Sequence, residues 1–364
     1  MHKLCIISFT EKGSALACEL KSYFDKNNTY GFSAEFPPKG VNRKEYINDK
    51  FSRYAGFIFI GATGIAVRYI APLLKSKDID PAVLVVDELG RYVIPLVSGH
   101  LGGANRLSKI VSYGIGAIPV ITTATDINEK FAVDIWTRKS GCIISDISKI
   151  RYISSAVLRG EKVGFVSDFP IEGRLPDELT LIDFDKRYTE FEEDVECSPC
   201  TETKFRDRYI IPGVGIAVSM DESCSPFEIT LNVIPRVICL GVGCRKDIDI
   251  RSFEDFVISR LESHRIPIKS IYKIGSIDLK AEEKCILAFS EKYDIPFQTA
   301  TKEELNSVPG NFNGSEFVKS VTGIDNVCER SAMWLAGGGS IIAPKESHEG
   351  ITFALAMKDW KCVF

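Results

Sequence analysis

The sequence predicts an α/β protein with a largely parallel sheet and more than one domain. Three observations carry this. Short apolar runs alternate with amphipathic helical stretches at both ends of the chain, the pattern of strand–helix–strand units. Glycines stand where several of those runs end, in GFIFIGATG, SGHLGG and ICLGVG. The chain has 364 residues, more than one hydrophobic core usually serves, and is 45% hydrophobic and 26% charged, which is ordinary for globular domains.

The elements follow in order. KLCIISF (3–9) reads as a buried strand. The stretch after it carries Ala15, Leu16, Leu20 and Phe24 at helical spacing. GFIFIG begins a second strand at Gly56, and ATGIAVRYIAPLLK reads as its helix. AVLVVD (82–87) and YVIPLV (92–97) are strands joined by a turn at Glu88–Arg91. A helix follows SGHLGGAN and runs to about Gly116, and IPVITT (118–123) is a further strand. These elements define an N-terminal α/β domain, residues 1–126.

Between residues 127 and 232 the pattern weakens to one helix, SDISKIRYISSAVLRG, one strand, KVGFVSD, and an acidic stretch, FEEDVECSPCTETKFRD. A small middle domain is expected there. From 233 to 364 the alternation returns. RVICLGVGC is a strand. The next helix has Phe253, Phe256, Val257 and Leu261 on one face. IDLKAEEKCILAFSEKY is read as another helix, IPFQTA as a strand and NVCERSAMWLAGG as a helix stopped by glycines. SIIAP and ITFALAM close the domain.

Charge and composition exclude some functions. A net charge of −4, from 45 basic and 49 acidic residues, argues against bulk nucleic-acid binding but allows a local basic pocket. No apolar run reaches the length of a membrane span. The start, MHKLCIISF, lacks the basic head and cleavage site of a signal peptide, so a cytoplasmic protein is expected. The 11 cysteines are odd in number and irregularly spaced, as free thiols in a reducing compartment would be. One CxxC, Cys197 and Cys200, lacks the second pair that a structural zinc site needs. No protein-bound metal is expected.

Six segments could carry chemistry. In GATGIAVR (61–68), Gly61, Thr63 and Gly64 sit where a strand meets a helix, and such a turn either admits an anion or is simply tight. In SGHLGGAN (98–105), His100 stands among Gly99, Gly102 and Gly103. It either titrates in a cleft or caps the helix. TTATD (122–126) ends a strand, where open α/β sheets bind ligands, and Thr125 or Asp126 could equally be an N-cap. DELGR (87–91) offers Asp87 and Glu88 as acid–base groups or reads as a β-turn. Lys280 and Glu283 in SIDLKAEE are spaced as an ion pair, and Asn326 and Glu329 in NVCER as a capping box. The GxSxG nucleophile elbow is absent. His264 and His348 are expected to be surface or loop residues.

Together these segments resemble the CbiG family, the cobalt-precorrin-5A hydrolases of anaerobic cobalamin biosynthesis. The likeness rests on the stretch from GATGIAVRYIAPLL through VSGHLGGANRLSKIV to ITTATD. It continues, in family order, with LGVGCRKD, SIDLKAEE, NVCERSAMWLAG and ITFALAM. It implies a three-part chain whose C-terminal domain is similar to CobE. It implies a hydrolase whose substrate is a cobalt macrocycle bearing a ring-A acetate δ-lactone, opened by water with release of acetaldehyde. The cobalt belongs to the substrate, so no cofactor is expected on the protein. A non-catalytic corrinoid carrier of the same pathway is the alternative, and transient contact with neighbouring pathway enzymes is compatible with either.

On this reading His100 is the general base or the proton shuttle, oriented by Glu88 or Asp126, with the Gly102 and Gly103 N–H groups polarising the lactone carbonyl. Substrate carboxylates would be received by Arg68, Arg106, Lys280 and the glycine turns at 61–64 and 241–243, including Gly241 and Gly243. Asn105, Thr123, Glu283 and Glu329 complete the expected site.

Overall fold

The structure, a computed structural model, describes residues 2–76, 79–182, 212–312, 314 and 323–364. The CxxC cysteines, Cys197 and Cys200, lie outside the described residues. The chain divides into two units, Met1–Ile135 and Trp136–Phe364.

In the first unit, six strands form one sheet: β1 (His2–Ser8), β2 (Phe32–Glu35), β3 (Gly56–Ile60), β4 (Ala82–Val86), β5 (Tyr92–Val97) and β6 (Ile118–Pro119), in the order β2-β1-β3-β4-β5-β6. Every residue of β3 and β4 is buried, because helices cover both faces. Alternation sorts the side chains. Leu4, Ile6, Ile58, Ile60, Leu84 and Val86 pack against α1 (Glu11–Lys26) and α4 (Ala104–Ile115). Cys5, Ile7, Phe57, Phe59, Val83 and Val85 pack against α2 (Arg43–Lys50) and α3 (Thr63–Ile70).

Pairing is parallel except between β4 and β5. That pair is a hairpin. Asp87 ties its turn by accepting the backbone N–H groups of Leu89, Arg91 and Tyr92, and Gly90 supplies the positive φ (+66°). The β-turn reading of DELGR therefore holds for Asp87. The hairpin also reverses the chain. Val83, at the start of β4, pairs with Val97, at the end of β5, and β6 runs parallel to β5. The segments after β5 and β6 thus leave at the sheet edge opposite to the one where β1, β3 and β4 end.

The second unit carries two five-stranded sheets. One has the order β10 (Leu179–Leu181), β8 (Val163–Ser167), β11 (Val214–Val218), β12 (Ile229–Pro235), β7 (Cys142–Ile144). The other has the order β15 (Phe297–Ala300), β14 (Ile271–Ile277), β13 (Ile238–Cys244), β17 (Ile351–Met357), β16 (Ser340–His348). The boundary expected after Asn232 falls inside β12. The C-terminus returns to the middle segment, where β18 (Cys362–Val363) pairs with β9 (Ile171–Glu172) and Phe364 stacks on Trp136 at a centroid distance of 5.0 Å.

In the second sheet, α8 (Ile250–Ser263) and α9 (Lys284–Tyr293) bury Phe253, Val257, Ile286 and Phe289 on one face. On the other lies α11 (Val327–Ala336). Gly241 lets α11 approach: a Cβ there would meet the Cys328 carbonyl oxygen at 1.8 Å. The LGVG glycine is thus occupied by helix–sheet packing rather than by a ligand. A Cβ at Gly243 would likewise meet Thr352 Oγ1 at 2.6 Å.

Candidate active site

The turn between β5 and α4 is closed by its own backbone. Gly103 N donates to the His100 carbonyl, Ala104 N to that of Ser98 and Asn105 N to that of Gly99, each at 3.0 Å. A Cβ on Gly102 would lie 2.3 Å from Ser98 Cβ and 3.1 Å from the Asp80 carbonyl oxygen. Tightness of the turn accounts for this glycine, and the Gly103 N–H, expected to polarise a carbonyl, is already used.

The turn carries His100 between two carboxylates. Its Nε2 lies 2.8 Å from Asp126 Oδ2 and its Nδ1 3.0 Å from Asp134 Oδ2. Asp126 comes from a single helical turn, α5 (Ala124–Ile127), after β6. Asp134 is the second residue of α6 (Val133–Lys139), which leads into the second unit. Asn105, 5% exposed, donates through Nδ2 to both Thr123 Oγ1 and Asp126 Oδ2 at 2.9 Å. Thr125 Oγ1 stands 3.3 Å from His100 Nε2. The N-cap reading of TTATD fails for Thr125 and Asp126, because both lie inside α5 and point their side chains at His100.

An imidazole facing a carboxylate on each nitrogen donates to both only when protonated. Accordingly, the hydrogen bond to Asp134 holds the His100 pKa above its ordinary value, against the opposing effect of burial. Burial pushes the Asp134 carboxyl up, but the hydrogen bond and charge of His100 outweigh it, and the net shift is downward. Asp134 is the more buried carboxylate, with a side chain 8% exposed against 20% for Asp126. Asp126 Oδ2 takes both His100 and Asn105, leaving Oδ1 without a donor among the described residues. The site therefore offers an imidazole held on both nitrogens and one carboxylate oxygen without a donor among the described residues.

Sequence reasoning named His100, Asp126, Asn105 and Thr123, and the structure brings them together. It missed Asp134 and read Thr125 only as a cap. The available signal was an aspartate inside the apolar run Phe131–Ala132–Val133–Asp134–Ile135–Trp136.

The other expected residues lie elsewhere. Glu88 accepts a hydrogen bond from Thr10 and is not a partner of His100. With Gly61, Thr63, Gly64 and Arg68 it stands at the carboxyl edge of β3 and β4, across the sheet from His100. The length of β4 separates the two edges, about 16 Å at ~3.3 Å per residue. Among the described residues Arg68 reaches only the Gly64 carbonyl, and Arg106 lies over the Phe32 ring.

Lys280 and Glu283 pair at 2.8 Å, but across a 3-10 turn (Asp278–Lys280) that precedes α9 rather than on the continuous helix expected. Glu329, 3% exposed, has both oxygens engaged: Asn326 Nδ2 donates to one and the Lys345 N–H to the other, each at 2.6 Å. Asn326 caps α11, so the capping reading holds in a side-chain form. His264 is half-buried against Glu346.

Fold and site together define an α/β protein with a half-buried acid–histidine–acid cluster on the edge of a doubly covered sheet. Family models match along most of the chain: "Cobalamin synthesis G N-terminal" over residues 45–126, "Cobalamin biosynthesis central region" over 131–235 and "Cobalamin synthesis G C-terminus" over 238–356. The chain belongs to the CbiG family. The cobalt-precorrin-5A hydrolase of Salmonella typhimurium is 32% identical over 84% of this chain and 83% of its own. That of Priestia megaterium is 27% identical over 97% and 94%. Among solved structures, CobE, a protein from the cobalamin biosynthetic pathway, is 25% identical over 34% of this chain and 92% of its own, with a TM-score of 0.32. Among the described residues no helix is long and apolar enough to cross a membrane.

Proposed function

We propose that this chain hydrolyses cobalt-precorrin-5A, with the reaction centred on Asp126 and His100. The observation that carries this reading is the imidazole clamped between two carboxylates, beside a carboxylate oxygen without a donor among the described residues, in a chain 32% identical to a hydrolase of that name. Asp126 Oδ1 takes a proton from water as the oxygen attacks the lactone carbonyl. The acyl C–O bond breaks, and protonated Asp126 returns the proton to the alkoxide, leaving a carboxylic acid and a secondary alcohol. Asp126 then removes the alcohol proton. The oxygen's pair closes to the C=O of acetaldehyde, and the electrons of the broken C–C bond pass into the macrocycle, which is later protonated.

His100 has no free lone pair in this arrangement, so the base role falls to Asp126. His100 orients that carboxylate, and Asp134 holds His100 in register. The cobalt is carried by the substrate. A cytoplasmic setting and brief contact with neighbouring pathway enzymes fit this role.

The test is a coupled assay. Protein is incubated with cobalt-precorrin-5A, and acetaldehyde is followed with alcohol dehydrogenase and NADH. Acetaldehyde in step with substrate loss is expected. Substrate binding without acetaldehyde would leave a carrier instead.

A further inference from the structure

Three cation-ligating side chains meet in the second unit, far along the chain from the site above: Cys244 at the end of β13, Glu283 just before α9 and Cys285 in its first turn. The two sulfurs lie 3.8 Å apart, and the two sulfurs and a carboxylate oxygen are all within 4.8 Å of one another. We propose that Cys244, Cys285 and Glu283 form a binding site for a thiophilic divalent cation of the zinc type, with a fourth position open to water or a small ligand.

The geometry supports this. Two thiolates bound at ~2.3 Å to a tetrahedral ion stand ~3.8 Å apart, the separation already present. A disulfide needs ~2.05 Å, so the sulfurs are spaced for an ion between them rather than for a bond. Glu283 is held for the role. Lys280 donates to one oxygen at 2.8 Å and the Asp247 N–H to the other at 3.2 Å, which holds the carboxylate in place.

Charge also balances. Two thiolates, one carboxylate and the Lys280 ammonium sum to −2, which a dication neutralises. Without the ion one sulfur must keep its proton. The two sulfurs then share a single hydrogen bond. Cys285 also sits at a helix N-terminus, where a thiolate is stabilised. Burial grades from Cys285, which is buried, to the half-buried Cys244 and Glu283.

The experiment uses the full chain, reduced and metal-free, titrated anaerobically with Co2+ and then Zn2+. One equivalent of Co2+ should give sulfur-to-cobalt charge-transfer absorption that one equivalent of Zn2+ abolishes. Cys244→Ser and Glu283→Gln, both at half-buried positions, should each weaken Zn2+ binding at least about tenfold by calorimetry. Cys197→Ser/Cys200→Ser should bind as the parent does. The proposal is overturned if no charge-transfer band forms, if Cys244→Ser binds Zn2+ like the parent, or if the band disappears with Cys197 and Cys200. Unfolding of either single variant, read by circular dichroism, leaves the other variant and the parent spectrum to decide.

Discussion

Asp134 Oδ2 lies 3.0 Å from His100 Nδ1, although 34 residues separate the two in the chain. The contact raises the His100 pKa, because it favours the protonated ring whose other nitrogen already faces Asp126. The chemistry of the site follows from this pair.

Asp134→Asn should therefore change a pH profile. The imidazolium is favoured by both carboxylates, so activity that needs it falls as pH rises through the raised His100 pKa. Removing one carboxylate lowers that pKa, and the alkaline limb of kcat should move to lower pH. His100→Ala should reduce kcat by about 10²-fold while substrate still binds, on the usual scale for assisted proton transfer. Unchanged turnover in His100→Ala would remove the cluster from the mechanism.

The same pair sets a stability window. The raised His100 pKa contributes stability fully below its ordinary value of 6.5, lost as pH rises through the folded value. The lowered Asp134 pKa contributes stability above its ordinary value of 3.8, lost as pH falls through the folded value. The Tm difference between parent and Asp134→Ala should thus be largest between pH 3.8 and 6.5 and shrink on both sides. Loss of one partner of so enclosed a pair should cost about 3 kcal/mol in that window. A pH-independent difference would show that packing alone is at stake.

Arg68→Ala should leave kcat/KM within about twofold, as expected for an exposed side chain at the opposite sheet edge. A large loss of kcat/KM would mean that substrate spans both edges of the sheet.

Gly241→Ala should destabilise by about 3 kcal/mol or more, because its methyl would enter the Cys328 carbonyl. Chemical denaturation would measure it, and an unshifted midpoint would show that α11 can lift from β13 freely.

Phe364→Ala should cost about 2 kcal/mol. The ring stacks on Trp136 and meets Phe165 edge-on at 5.3 Å, tying the C-terminus to the middle segment. Thermal unfolding of the parent and the variant is the measurement.

The sequence by itself determined the local units: which runs are strands, where helices start, and that His100, Asp126, Asn105 and Thr123 are worth watching. Those properties depend on neighbours within a few residues, as apolar period and turn chemistry do. It also contained the reversal at β5, since the five-residue connection 87–91 is too short for a parallel crossover. The tertiary structure alone decided which strand ends share an edge. That is why the glycine turn at 61–64 and Glu88 part from His100, although all three lie beside strand ends. It also decided that Asp134, in sequence an ordinary acidic residue of a helix's first turn, completes the cluster. The hydrogen bonds to Asp126 and Asp134 favour the protonated His100 ring against burial, and they depend on segments that only folding brings together.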